Sequence, residues 1–454
     1  MSRTRSVLVL IADDWSPLAG CYGNPVIHTP NVDALAARGE RFSHAFCTTP
    51  SCAASRASLL TGLYSHTHGQ YGHSHGVHNF HTQSQVRSIP RVLRDNGLAT
   101  GVVGKLHVQP PEVYPWDFAP PVNGRDVQQL AARAEEFLTT CGDRPFYLHV
   151  GFGDPHRDFG NARPYPGVTE VRYAPDEVVV PPFLPDIPAV RAELAQYYQS
   201  ISRLDTGIGM VLAALERSGR AGETLVLCLS DHGMPFPGAK ASPFDSGHHC
   251  PLIVRHPETG HGGGVNDALV NWCNIAPTVF DWCGVQAPDG LPERSFLPIL
   301  GQPHPEGWDE TYFSHTFHEV TNYFPYRVLR GRRYKYVRTL FPELTMPLPS
   351  DLWASPTWRA VRDRGITMLG RRPTLRCLHH DAEALFDLDL DPVEAENRIG
   401  DPTLTGIAAQ MRAKVQAFRQ VTRDPWILAS EQAGEVFEPR VPASGLPGGR
   451  RLER

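Results

Sequence analysis

The sequence has no long hydrophobic run and no excess of basic residues. In 454 residues, no stretch approaches the roughly 20 apolar residues that a membrane-spanning helix needs. The apolar run at 6–12 is followed at once by Asp13 and Asp14, so it is too short for a signal peptide and predicts a buried first strand. Lys and Arg number 43 against 48 Asp and Glu, which gives a net charge of −5. We therefore expect neither a membrane nor a nucleic acid as a partner.

Paired cysteines are also missing. The nine cysteines are an odd number and are scattered without the spacing of a disulfide framework. This pattern favours a reducing compartment, and we predict a cytoplasmic location. Internal repeats are not evident, and the 40 Gly and 42 Pro residues indicate many loops.

Strand-like apolar runs alternate with helical patterns, which predicts an α/β fold with a large sheet flanked by helices. The length favours two domains, and we place an α/β catalytic domain at 1–305 and an α+β subdomain with a smaller antiparallel sheet at 306–454. A hairpin turn is predicted at Gly331-Arg332, and the tail at about 440–454 is predicted to be mobile. The predicted strands and helices of the first domain lie at 7–12, 30–39, 89–103, 126–140, 146–152, 188–218 and 224–229.

Ionisable side chains follow four of the predicted strands. The pairs are Asp13 and Asp14, Lys105 and His107, Asp154 and His156, and Asp231 and His232. In open α/β sheets the carboxyl ends of the strands form the edge where sites are built. The sequence therefore predicts a functional site at this edge.

Buried carboxylates that lie close together repel one another unless a cation lies between them. Asp13, Asp14 and Asp231 offer hard oxygen ligands, which favour Ca²⁺ or Mg²⁺. His232 adds a nitrogen, which leaves Mn²⁺ or Zn²⁺ open. We predict one divalent cation at this position, most simply Ca²⁺.

Residues 51–62, SCAASRASLLTG, carry the most informative pattern in the chain. Cys52 and Arg56 are four residues apart, so a helix that begins near Cys52 brings both to one face. The start of such a helix also offers free N–H groups to an anion.

This run resembles the activation signature of the type I sulfatases, with Ala54 where Pro is commoner. The resemblance implies that a formylglycine-generating enzyme converts Cys52 to Cα-formylglycine. The hydrated aldehyde then attacks sulfur with one hydroxyl, and the second hydroxyl expels sulfate when the aldehyde forms again. It also implies that Cys52 joins Asp13, Asp14, Asp231 and His232 at the metal, with His232 where the family usually has Asn.

Four cationic or hydrogen-bonding side chains are expected to surround the anion and stabilise its developing charge: Arg56, Lys105, His107 and Lys240. Lys240 follows the Asp231-His232 pair closely in PFPGAK. His156 is a candidate general acid, because the pKa of histidine suits proton transfer near neutrality.

Six histidines lie in the segment from His66 to His81. His-rich tracts can bind metal, but this spacing fits no zinc template. We expect a loop that faces the substrate and assign no metal to it.

Within the family, the chain is most similar to the heparan N-sulfatases (sulfamidases), from about Val7 to Trp426. Stretches that carry this similarity include GKLHV at 104–108, DPHR at 154–157, HEVT at 318–321 and RDPW at 423–426. The similarity implies an alkaline-phosphatase-like fold, Ca²⁺, formylglycine, a homodimer and hydrolysis of the N-sulfate of glucosamine, a small sulfated sugar. Lys240 stands where sulfamidases have Arg, and the sugar is expected to contact His78, His318 and Glu319.

Two other functions remain open at this stage. A formylglycine-dependent phosphonate monoester or phosphodiester hydrolase shares the fold and the cysteine motif. A catalytically silent sugar-binding protein would keep Cys52 unmodified, although the full set of ionisable residues argues against it.

Overall fold

A mixed sheet of seven strands is the larger sheet of the computed structural model, which describes residues 5–158, 168–258 and 262–427. Its strands are β1 (Ser6–Ala12), β2 (Glu40–Phe46), β3 (Ala99–Gly104), β4 (Phe146–Gly151), β5 (Thr224–Ser230), β6 (His249–Arg255) and β7 (Gly264–Asn271). The spatial order is β3-β4-β1-β5-β6-β2-β7. The first four of these are parallel, β6 is antiparallel to both of its neighbours, and β2 and β7 are parallel.

Helices cover both faces of this sheet. The helices of the chain are α1 (Pro30–Arg38), α2 (Cys52–Thr61), α3 (Ser65–His68), α4 (Ile89–Asp95), α5 (Val127–Thr140), α6 (Pro188–Arg217), α7 (Asp245–His248), α8 (Ile275–Cys283), α9 (Ser350–Trp353), α10 (Pro356–Asp363) and α11 (Thr405–Val421). Leu8 and Leu10 of β1 pack with α1, α5 and α6, whereas Val7, Val9 and Ile11 pack with α2, α4 and α8. Every residue of β1 is therefore buried, as expected for a central strand covered on both faces.

The long helix α6 matches its sequence pattern. It begins at Pro188, and the apolar stripe that steps by three and four residues along it is buried from Val190 to Leu215. Within the part of the chain that the structure describes, no helix combines the length and apolar character needed to cross a bilayer.

A second sheet of four antiparallel strands follows along the chain. It comprises β8 (Glu310–Phe317), β9 (Tyr323–Gly331), β10 (Tyr334–Thr339) and β13 (Glu383–Asp387), in the order β13-β10-β9-β8, while β11 (Met368–Leu369) and β12 (Arg372–Pro373) form a separate pair. Helix α11 packs Met411 and Val415 against Leu329 and Tyr336 of this sheet. The predicted fold class, with one helix on a small C-terminal antiparallel sheet, is confirmed. The boundary at 305/306 stays a prediction, and the tail at 440–454 lies outside the described residues.

Three strands of the large sheet and one detail of the small sheet were not predicted. Strand β2 lies between β6 and β7, and its burial pattern is irregular because the register shifts along it. The turn between β9 and β10 falls at Arg332-Arg333, one residue beyond the predicted centre.

Candidate active site

The carboxyl ends of four parallel strands meet at one edge of the large sheet, as the sequence predicts. Strands β3, β4, β1 and β5 are adjacent and parallel, so the residues after them lie at the same edge. These residues include Asp13, Asp14, Lys105, His107, His156, Asp231 and His232. Asp154 has a different position, because Arg203 holds its carboxylate in a bidentate pair with both distances at 2.6 Å.

Cys52 is the first residue of α2, directly after the N-cap Ser51. Its side chain is buried, with Sγ 3.2 Å from Nε2 of His232 and 3.7 Å from Oδ1 of Asp14. The free N–H groups of the first helical turn add a positive potential at this point. The sulfur atom therefore marks a position where the fold favours negative charge.

The charges around Cys52 act in the same direction. Burial alone would raise the pKa of the thiol, but Lys240 and Lys105 lower it well below its usual value. Nζ of Lys240 lies 2.9 Å from Oδ2 of Asp14 and 3.4 Å from Nε2 of His156, and Lys105 forms an ion pair with Asp13. Both lysines thus lie beside the acids and Cys52.

Arg56 lies one turn along α2 and is fully buried. Its Nε donates to Oδ2 of Asp231 at 2.9 Å, and its terminal nitrogens lie 3.4 Å from Oδ1 of Asp13 and 3.0 Å from the carbonyl oxygen of Lys105. The guanidinium is therefore directed at the acids beneath the site. This geometry suits a side chain that fixes the position of two carboxylates.

Three of these carboxylates form one cluster. Oxygen atoms of Asp13, Asp14 and Asp231 lie within 4.8 Å of one another, and all three residues are buried. Burial and the charge of Asp13 raise the pKa of Asp231, although Arg56 opposes this. Hard oxygen donors that repel one another in this way are the donor set that Ca²⁺ and Mg²⁺ prefer. The residues present therefore fit a hard divalent cation.

His232 presents a ring nitrogen to the same cluster. Its Nδ1 lies 2.9 Å from the carbonyl oxygen of Gly233, so Nδ1 carries a proton, and Nε2 lies 2.9 Å from Oδ1 of Asp14. Burial lowers the pKa of His232, but the charges of Asp14 and Asp231 raise it well above its usual value. Nε2 is thus directed to a point where the acids favour positive charge, whether a proton or a metal ion. The five predicted ligands, including Cys52, lie together.

Comparison with known proteins adds the family. A model of the sulfatase family matches residues 5–285, more than half of the chain. The chain belongs to the sulfatase family. A second family model, described as the C-terminal part of N-sulphoglucosamine sulphohydrolase, matches residues 240–346 of this sulfatase. The chain is also 36% identical to human N-sulphoglucosamine sulphohydrolase over 470 residues, covering 95% of this chain and 93% of the human protein.

Two solved structures have the fold of this sulfatase. One is a complex with its substrate D-glucosamine-2-N,6-O-disulfate, with a TM-score of 0.69 and 17% identity over 93% of this chain and 99% of that chain. The other is the phosphonate monoester hydrolase of Agrobacterium radiobacter, with a TM-score of 0.67 and 21% identity over 92% of this chain and 96% of that chain. At these identities the likeness concerns the fold alone, and it confirms the predicted alkaline-phosphatase-like architecture.

His318 and His107 contact the start of α2 and the His-rich segment of the sulfatase chain. Nδ1 of His318 lies 3.0 Å from Oγ of Ser51, and its Nε2 lies 3.2 Å from Nε2 of His73. Nε2 of His107 lies 3.0 Å from Nδ1 of His75, and the Cys52 side chain raises the pKa of His107, although burial lowers it to about 3 overall. The structure therefore places His318 beside the start of α2 and His107 beside the His-rich segment.

His78 and Glu319 have contacts with neighbouring loops instead. The backbone N–H of Val320 donates to Nδ1 of His78 at 3.2 Å, and the backbone N–H of Ser350 donates to Oε1 of Glu319 at 3.1 Å. His78 thus contacts the 318–322 segment to which Glu319 belongs. Within the described part of the chain, neither residue contacts the carboxylate cluster.

Sequence reasoning missed Asp351. Its Oδ2 lies 3.0 Å from Nζ of Lys240, and Lys240 also contacts Asp14, so a carboxylate from the short helix α9 joins the site. No motif surrounds Asp351, and 111 residues separate it from Lys240. Only the folded chain brings them together.

Proposed function

We propose that this chain is a formylglycine-dependent sulfatase that hydrolyses the N-sulfate of a glucosamine residue. The observation that carries the chemistry is the position of Cys52: its side chain lies at a helix start, between His232, Asp14 and two lysines. The similarity to human N-sulphoglucosamine sulphohydrolase supports the substrate class.

Conversion of Cys52 to Cα-formylglycine would supply an oxygen nucleophile at this position. Lys105 and Lys240 lower the pKa of the thiol there, so the same charges would hold a sulfuryl group and stabilise negative charge on its oxygens. Arg56 would act beneath them as a positioning residue, because its donors hold Asp13 and Asp231.

We propose that Asp13, Asp14, Asp231 and His232, with the side chain at position 52, hold one divalent cation. The three buried carboxylates favour Ca²⁺, and Mg²⁺ or Mn²⁺ are alternatives. A bound cation would polarise the sulfuryl oxygens.

Cleavage of a sulfamate breaks the S–N bond, consumes one water molecule and releases sulfate and an amine. The leaving nitrogen must gain a proton. His156 is the proposed donor, because its Nε2 lies 3.4 Å from Nζ of Lys240 and 3.8 Å from Oδ2 of Asp14, beside the position of the sulfuryl group. His107 is a second candidate, because its side chain also interacts with that of Cys52.

Substrate contacts, assembly and maturation complete the proposal. His78, His318 and Glu319 are the proposed contacts of the sugar ring. We also propose a homodimer, maturation by a formylglycine-generating enzyme and a cytoplasmic location, on the sequence grounds given above. None of the nine cysteines, all of which lie in the described residues, forms a disulfide, which supports a reducing compartment.

The test compares kcat/KM on N-sulfoglucosamine, an aryl sulfate and a phenylphosphonate ester. The fraction of Cys52 converted to formylglycine is first measured from the mass of its tryptic peptide, and rates are divided by that fraction. Cys52→Ala protein gives the background rate. We expect N-sulfoglucosamine to have the highest kcat/KM.

Two results would count against the proposal. A phosphonate preference of tenfold or more, about 1.4 kcal/mol of transition-state discrimination, would assign the chain to the phosphonate hydrolases. Turnover of the aryl sulfate without turnover of N-sulfoglucosamine would keep the reaction and overturn the substrate.

A further inference from the structure

A group of imidazoles lies near Cys52, whose side chain interacts with one of them, His107. One ring nitrogen each from His73, His75 and His107 lies within 4.8 Å of the other two. The three rings are also stacked, with centroids 4.8 to 5.1 Å apart. We call these residues the three-histidine cluster.

We propose that the three-histidine cluster binds a borderline divalent transition-metal ion, of which Zn²⁺ is the representative, at a site separate from the carboxylate cluster. Imidazole nitrogen is a ligand that zinc prefers, whereas Ca²⁺ and Mg²⁺ prefer oxygen. Three protein nitrogens also leave a fourth position open in a tetrahedral ion.

The distances suit such an ion. Zinc–nitrogen bonds of about 2.0 to 2.1 Å in a tetrahedron separate two ligand nitrogens by about 3.3 Å. Nδ1 of His75 lies 3.0 Å from Nε2 of His107, so only a small side-chain movement is needed to admit the ion. His75 is exposed and can make this movement.

The environment of His73 points in the same direction. Its Nδ1 is buried and has no hydrogen-bond partner among the described residues, while its other nitrogen, Nε2, lies 3.2 Å from Nε2 of His318. His318 in turn lies 3.0 Å from Oγ of Ser51. A metal-binding histidine commonly has one nitrogen free for the ion and the other fixed by an outer partner. Nδ1 of this buried side chain, which is 7% exposed, is therefore available as a ligand atom.

The protonation state agrees with this geometry. Burial, together with the charges of Lys240 and Lys105, lowers the pKa of His73, and burial also lowers the pKa of His75. Neutral imidazoles are the form that binds metal. The same lysine charges repel a cation, so we expect moderate rather than very tight affinity.

The sequence alone does not predict this site. His73 and His75 are two residues apart, which differs from the histidine spacing of zinc fingers, and the third nitrogen comes from a different loop, after β3. The fold supplies the proximity.

Binding is measured directly, so the test does not depend on turnover. The full chain, with Ca²⁺ in excess to fill the oxygen-rich site, is titrated with Zn²⁺ by calorimetry and with Co²⁺ by visible absorption. We expect one equivalent of Zn²⁺ and a Co²⁺ spectrum of tetrahedral intensity without a thiolate charge-transfer band.

The variant is His75→Gln, which is exposed and removes one ligand. Its matched control is His81→Gln, an exposed histidine of the same segment. We expect the first change to raise the Kd for Zn²⁺ by about tenfold or more and the second to leave it unchanged. Cys52→Ala should also retain binding.

Equal Zn²⁺ affinity in wild type and His75→Gln, absence of the Zn²⁺ equivalent, or a thiolate band in the Co²⁺ spectrum would each overturn the proposal. A second arm rests on the proposed function: Zn²⁺ should inhibit turnover by engaging His107, and His75→Gln should be less sensitive. If the protein turns over none of the sulfated substrates, the binding titration still decides whether the site exists.

Discussion

The floor and the rim of the candidate active site are built in different ways. The floor consists of Asp13, Asp14 and Asp231, which directly follow strands β1 and β5 and are fully enclosed. The rim consists of His73 and His75, which belong to a segment without helix or strand. His75 is exposed to solvent. A sheet edge therefore fixes the floor, whereas loop contacts such as His73 to His318 hold the rim. Changes in the floor should cost chemistry or stability, and changes in the rim should mainly affect binding.

The largest effect is expected at Cys52, the proposed nucleophile, which lies next to the floor. Cys52→Ala should lower kcat by at least about a thousandfold, roughly 4 kcal/mol, because under the proposed function this position supplies the nucleophile. The side chain is small, so the melting temperature should change little. Cys21→Ala, at a half-buried cysteine elsewhere, is the control. Retention of most of the activity in Cys52→Ala would disprove the assignment.

The second test removes a ligand from the floor. Asp231→Asn should lose the cation, and with it the stabilisation that binding provides, about 2.7 kcal/mol when the free ion is at one hundred times its Kd. Metal analysis and melting temperatures with and without Ca²⁺ measure both effects. Asp289→Asn, at an exposed carboxylate, is the control. An undiminished Ca²⁺ response in Asp231→Asn would contradict the site.

The third test separates structural histidines from those of the rim. His66 and His68 belong to the same His-rich segment but are buried in α3, and burial lowers the pKa of both to about 3. In the unfolded chain both histidines bind a proton from about pH 6.5 downward, whereas in the folded chain they do so only near pH 3. Their contribution to the free energy of unfolding is therefore fully present above about pH 6.5 and is lost as the pH falls toward 3.

Each of these histidines should contribute up to about 1.4 kcal/mol of lost stability per pH unit in that window. Chemical unfolding of wild type and His68→Gln at pH 7.5 and 5.5 measures the difference. His68→Gln should lose less stability on acidification than wild type, and the exposed His81→Gln should behave like wild type. Identical pH dependence in all three proteins would refute the argument.

The smallest effect is expected at Glu319, a proposed contact of the sugar. Glu319→Gln should raise KM by about threefold, some 0.65 kcal/mol, and leave kcat unchanged, because a sugar contact contributes equally to ground state and transition state. Steady-state kinetics on N-sulfoglucosamine measure both constants. A fall in kcat with unchanged KM would show that Glu319 takes part in the catalytic step and does not only bind the sugar.

The same contrast explains how much the sequence could predict. The floor was predictable because parallel strands bring Asp13 and Asp231 to one edge, although 218 positions separate them in the printed sequence. Helix α6 was predictable because its apolar stripe repeats regularly. Both depend on rules that act within one element or one sheet.

The parts that were missed depend on pairings between distant segments. Strand β2 has a shifted register and enters the sheet between β6 and β7, which no periodicity encodes. Asp351 of the four-residue helix α9 contacts Lys240, and the ring of His73 stacks on that of His107 from a different loop. Side chains that meet in this way carry no signal until the chain has folded.

The depth of Cys52 has a consequence for biosynthesis. In the folded chain the side chain is 1% exposed, and its sulfur atom contacts His232 and Asp14. The proposed maturation enzyme could not reach a side chain buried to this extent, so it would have to act before α2 docks on the sheet. The rate of this modification would then compete with the rate of folding during synthesis. Under the proposed function, chains that fold before this modification would be well formed but inactive, and the yield of active protein would depend on how fast the cell modifies each new chain.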